Sequence, residues 1–131
     1  MEKQTKNDFI KRLIKFTLII IKLTRNLPKT ISNDIFARQI IRSSANIGAN
    51  VMEARGSSTK KDYARFFSIA LKSANETKYW LILIQSANPE QKEKYRHLLE
   101  ENDEIARLSH QALLRSKVEN NLLFEIYTFG F

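Results

Sequence analysis

Between residues 60 and 86 the apolar positions fall on two parallel lines. Tyr63, Phe67, Ala70, Ala74, Thr77, Leu81 and Ile84 are separated alternately by four and three residues, the spacing that keeps one helix face turned towards a partner. Phe66, Ile69, Ser73, Glu76, Trp80 and Leu83 form a second line beside it. Two adjacent lines predict a helix that packs on two neighbours, with its aromatics in the core rather than in a ligand site. Glu76 stands out as a carboxylate among apolar neighbours, which needs a partner.

Start and stop signals divide the chain into four such elements. The first helix is predicted over about 7–26, stopping before Pro28. The second runs over 32–55, with Ser32 as cap, Asp34 in the first turn and Gly56 at its end. The third covers 59–86, with Thr59 as cap and Asp62 three residues on. The fourth covers 89–118, with Asn88 as cap and Pro89 in the first helical position. An apolar tail, 119–131, follows and is expected to pack on its own bundle or on a neighbour's. Long helices joined by short turns pack as antiparallel neighbours. The prediction is therefore a single all-α domain, an up-down-up-down antiparallel four-helix bundle.

The first two helices carry more than a bundle core requires. In the first, Leu13, Ile14, Phe16, Leu18, Ile19, Ile20, Ile21 and Leu23 surround most of the circumference, and Lys11, Lys15 and Lys22 hold the remainder. A core needs an apolar stripe of only about 100°, so the surplus is expected at a subunit interface. In the second helix, Ile40, Ser44, Ile47 and Val51 form one stripe and Ile41, Ala45, Gly48 and Met52 the next. The small residues predict close approach of another helix, which explains Gly48 without a phosphate-binding loop. Arg42, Asn46, Ala49, Asn50 and Glu53 lie opposite. Spacing alone favours a solvated face there. The alternative is a polar network at an interface, shared with Glu76, that fixes helix and subunit register.

Composition narrows the function classes. With no Cys there is no disulfide framework and no thiolate metal site. The run Phe16–Ile21 is too short to cross a bilayer or to serve as a secretory leader, so the chain is expected in the cytoplasm. The net charge is +8, and residues 1–29 alone carry +6. Such a field attracts nucleic acid, acidic protein or anionic lipid without choosing among them.

Catalytic constellations are missing from the pattern. His97 and His110, thirteen residues apart, point to roughly opposite sides of one helix and cannot share a metal. Lys94 and Arg107 stand where a di-iron bundle would carry Glu three residues before each His. Ser57–Lys60 matches Ser-x-x-Lys but lacks its companion motifs and reads as a turn and helix cap. No enzyme, cofactor, metal or small-molecule substrate is expected.

The run IRSSANIGANVMEA, followed by KKDYARFFSIALKSANETKYWL, resembles the four-helix-bundle family of proteins encoded in intervening sequences of bacterial 23S ribosomal RNA genes, also called the S23 ribosomal protein family. The likeness spans about Arg38 to Leu83. That family often has acidic residues at the positions of Met52 and Asn75, and this chain has neither. The resemblance implies a ring-like homo-oligomer, typically a pentamer, without enzymatic activity. A related branch, the accessory protein of diversity-generating retroelements, works with a reverse transcriptase and RNA.

The leading expectation is thus a homo-oligomeric scaffold binding RNA or DNA, a protein partner such as a reverse transcriptase, or both. Lys11, Arg12, Lys15, Lys22 and Arg25 are its nucleic-acid contacts, and Arg42, Asn46, Asn50, Glu53 and Glu76 its polar network. The competing expectations are an adaptor that binds only protein and a peripheral membrane protein using the first helix.

Overall fold

Threonine hydroxyls set the first residues of two helices. Thr30 Oγ1 accepts from Asn33 N at 3.1 Å and opens one helix. Thr59 Oγ1 accepts from Asp62 N, also at 3.1 Å, and opens the next. Each satisfies a donor that the first helical turn leaves without a partner. The structure is a computed structural model that describes the backbone of residues 2–129 and the side chains of residues 7–116. Its elements are α1 (Glu2–Arg25), α2 (Ile31–Gly56), α3 (Lys60–Ala87), a 3₁₀ turn (Pro89–Gln91) and α4 (Lys92–Phe129). There is no strand among the described residues.

α2 packs most extensively on α3, α3 on α4, and α1 on α2, while α1 and α4 meet along a slender seam. These four neighbouring pairs close a square, so the expected up-down-up-down bundle is what forms. Its core comprises Leu13, Phe16 and Ile20 of α1, Ile40, Ile47 and Val51 of α2, Phe67, Ala70, Ala74, Leu81 and Ile84 of α3, and Tyr95, Leu98, Ile105 and Leu113 of α4. The first apolar line of α3 is buried from Phe67 to Ile84, with Tyr63 half-buried. The second line is half-buried throughout, as expected for a flank shared between two contacts.

Several boundaries differ from the sequence expectation. α1 begins at Glu2, because Glu2, Lys3, Gln4 and Lys6 favour helix and nothing breaks it. Thr30, not Ser32, caps α2. Asn88 precedes the 3₁₀ turn that leads into α4, with Pro89 at its first position as expected, but its side chain makes no cap bond there: Asn88 also closes α3, and its side chain crosses to the α1–α2 turn. There Asn33 Nδ2 donates to Asn88 Oδ1 at 2.9 Å and Asn88 Nδ2 donates to Asn33 Oδ1 at 2.8 Å. Asn33 also donates to the Pro28 carbonyl and Asn88 to the Ile84 carbonyl. This buried amide pair ties two turns at one end of the bundle. α4 does not stop near Val118 but runs on to Phe129, since no Pro or Gly interrupts it before Gly130. How the side chains of the tail 119–131 pack lies outside the described residues.

Polar groups also sit at helix contacts within the core. Thr77 Oγ1 lies 2.8 Å from Ser43 Oγ, joining α2 and α3. Asn102 Nδ2 donates to the Ala74 carbonyl at 2.9 Å, joining α3 and α4. Gly48 faces Leu13, but a Cβ on it would stand 3.7 Å from Leu13 Cβ. That is an ordinary contact, so the α1–α2 approach within one chain does not require glycine.

Candidate nucleic-acid interface and assembly surfaces

α1 presents its lysines outward because Leu13, Phe16 and Ile20 hold the opposite face in the core. Lys11, Lys15 and Lys22 are exposed, and none makes an ion pair with a described acid. Arg25 is exposed in the last turn, where the helix dipole favours a cation. Arg12 is placed differently. Its guanidinium turns across the α1–α4 seam and grips Glu101 with two hydrogen bonds, Nε to Oε2 at 2.7 Å and Nη2 to Oε1 at 2.5 Å. The hydrogen bonds to Glu101 raise its pKa above the ordinary arginine value. Of the five basic positions expected to contact nucleic acid, Arg12 is therefore engaged within the chain and four are open.

Two openings flank this bridge. One, of about 560 Å³, is lined by Lys11, Lys15, Phe16 and Ile19 of α1 and by Lys94, His97 and Leu98 of α4, with Asp8, Arg12 and Glu101 at its edge. The other, of about 430 Å³, includes Phe9, Phe67, Leu108 and Ala112, with Arg115 and Glu104. The sequence does not mark Lys94 and His97 as contacts for an anion, because the charges of residues 88–118 balance to zero. The structure shows how those charges are distributed. Arg96 takes Glu93 and Glu100, Arg107 takes Glu104, and Lys78 of α3 takes Asp103. Lys94 is left unpaired beside the α1 lysines. The spacing of Lys94, His97, Leu98 and Glu101, one helical face, was the signal in the sequence.

The polar stripe of α2 separates into three parts. Arg42 bonds Gln39 and pairs with Glu76 of α3, and Trp80 Nε1 donates to Glu76 Oε2 at 2.9 Å. Glu76 thus has its partner, but the pair is open to solvent in the single chain, with side chains 52% and 39% exposed. Asn50 Nδ2 donates to the Asn46 carbonyl one turn back, a local bond. Glu53 is exposed and joins neither group.

Besides Ile19 in the first opening, Ile31 at the start of α2 and Leu114 on α4, exposed apolar side chains gather in two places among the described residues. Between α1 and α2, Ile14, Leu18 and Met52 are more than half exposed around a groove of about 330 Å³ whose α2 wall is Ala45, Gly48 and Ala49. On α2 and α3, Ile35, Tyr79 and Ile82 are exposed near the Phe36–Trp80 ring contact.

No group of His, Cys, Asp and Glu among the described residues could hold a metal ion. His97 and His110 are exposed. The Ser57 hydroxyl donates to the Ala54 carbonyl at 2.5 Å, and Thr59 caps α3, so Ser57–Lys60 forms the turn its sequence suggests. No helix among the described residues is long and apolar enough to cross a membrane.

The arrangement of helices has a solved counterpart. A protein of unknown function from the S23 ribosomal protein family of Bacteroides thetaiotaomicron superposes with a TM-score of 0.75 at 30% identity, over 82% of this chain and 96% of that one. No curated protein matches the sequence. The sequence profile described as 23S rRNA-intervening sequence protein matches residues 5–111, from α1 through the first half of α4. The chain belongs to the 23S rRNA-intervening sequence protein family.

Proposed function

We propose that the protein is a non-enzymatic, cytoplasmic, ring-forming homo-oligomer whose basic face binds RNA. The observation that carries the binding is the line Lys11, Lys15 and Lys22, exposed along one helix with no ion-pair partner among the described acids. Phosphates supply affinity to such a line without being read for sequence. Repetition of the line around a ring would turn weak contacts into avid ones.

The exposed apolar surface supports assembly. A ring of identical subunits needs two different faces that complement each other. The α1–α2 groove and the exposed Tyr79 and Ile82 of α3 are the two apolar faces that support this reading. Five subunits is the number that the resemblance implies, and a reverse transcriptase the protein partner.

Two measurements test this. Light scattering at micromolar concentration is expected to give an oligomer, and Leu18→Glu in the groove to dissociate it. A monomeric wild type would refute the assembly. Changing Lys11, Lys15 and Lys22 to Glu is expected to weaken all RNAs about equally while the helical content is kept. A wild type that binds neither RNA nor DNA at low salt would leave the protein-only adaptor in its place.

A further inference from the structure

The α1–α4 seam is the least filled contact of the bundle, and its open part gathers cations around an apolar floor. Lys11 and Lys15 stand one turn apart on α1, and Lys94 faces them from α4 with His97 beside it. Phe16, Ile19 and Leu98 lie between. We propose that this cleft is a single-stranded RNA site, with phosphates held by Lys11, Lys15 and Lys94 and a base resting on the floor between them. The proposal rests on the RNA-binding function above and adds α4 as half of the site.

Three observations favour a nucleic-acid strand. First, the acids around the cleft other than Asp8 are already held by arginines. Glu101 is held by Arg12 through two hydrogen bonds, and Glu93 and Glu100 are held by Arg96. Glu100 also approaches His97 Nδ1 at 3.8 Å. Asp8 is the one lining carboxylate without an arginine, against three unpaired lysines. Arginine, with its planar fork, captures carboxylates within the chain, and the lysines remain as point charges for an external anion. Second, the volume of about 560 Å³ lies within the range of small-ligand sites, so there is room for a base as well as its phosphate. Third, single-strand binders join a cationic groove to a surface on which bases rest, most often aromatic; here the exposed part of the floor is Ile19, with Phe16 and Leu98 beneath it. A duplex keeps its bases stacked inside and could use only the rim.

The test is fluorescence anisotropy with a labelled oligouridylate of about 15 nucleotides. Lys94→Glu is compared with Lys72→Glu, which makes the same charge change at an exposed position of α3. Lys94→Glu is expected to weaken binding about tenfold and to flatten the salt slope by about 0.7 per lost phosphate contact, with Lys72→Glu within about twofold of wild type. An abasic strand of equal length is expected to bind about fivefold more weakly than the base-bearing one, as one stacked base would give. Equal effects of the two substitutions, with the wild type still binding, would remove the cleft from the site and leave the RNA-binding function standing. A matched polyglutamate that competes as well as the oligouridylate would overturn the proposal in favour of an acidic protein partner. A wild type that binds no nucleic acid would overturn both.

Discussion

Tyr95 is the largest fully buried side chain of the bundle, and its hydroxyl has no hydrogen-bond partner among the described residues. A buried polar group left without a partner costs about 1–3 kcal/mol. Phe keeps the ring and removes only the oxygen. Tyr95→Phe is therefore expected to stabilise the protein by about 1–2 kcal/mol, which is about 4 °C of Tm per kcal/mol for a domain of this size. Burial also pushes the Tyr95 phenol up to about 12 from its ordinary value of 10.0. The folded state thus holds its proton at a pH where the unfolded chain has released it. The stability tied to this group is intact below pH 10 and is lost as pH rises towards 12, to a total of at most about 2.7 kcal/mol. Urea unfolding followed by helical circular dichroism, at pH 7 and at steps between pH 10 and 12, measures both effects. The difference between wild type and Tyr95→Phe isolates the contribution of Tyr95. A variant less stable than wild type at pH 7 would show that the hydroxyl has a partner. Parallel loss of stability above pH 10 in both proteins would show that the phenol is not desolvated.

Three further substitutions probe the features that link the helices. Asn88→Ala removes both reciprocal bonds to buried Asn33 and should cost about 1–3 kcal/mol in thermal unfolding through the amide left behind. Gly48→Ala places a methyl at an ordinary distance from Leu13 and removes a glycine from a helix interior, so denaturant unfolding of the protomer should show a gain of about 0.5–1 kcal/mol. A loss instead would indicate that a neighbouring subunit fills that space. Arg42→Ala and Glu76→Ala, in a pair open to solvent, should each change the unfolding free energy by less than about 1 kcal/mol. A cost of about 3–5 kcal/mol would mean that assembly buries the pair.

The sequence by itself determined the elements and their order, because helix signals are local. The four-three spacing from Phe67 to Ile84 marks one face of α3 wherever that helix lies, and all six of its positions from Phe67 onward are buried. The Thr59 cap was legible for the same reason, since its partner is three residues away. Positions whose partners lie far along the chain were not legible. Thr30 caps α2 where Ser32 was expected, and the side chain of Asn33, two residues inside that helix, meets Asn88, 55 residues on, a pairing that no local pattern marks. Lys11 and Arg12 are neighbours with the same charge, and only the packing of α1 beside α4 turns Arg12 to Glu101 and leaves Lys11 outside. The expected network from Arg42 to Glu53 shared one helix face, but Glu76 reaches only Arg42. Lys94 enters the cleft through the same kind of choice. Its local charge balance is neutral, and α4 joins the basic face only because the antiparallel seam brings it to the cleft that Lys11 and Lys15 also line and because arginines have already taken the nearby acids. Periodicity and capping act over a few residues and survive in a one-dimensional record. The pairing of charges depends on distances between helices, which exist only after the bundle has closed.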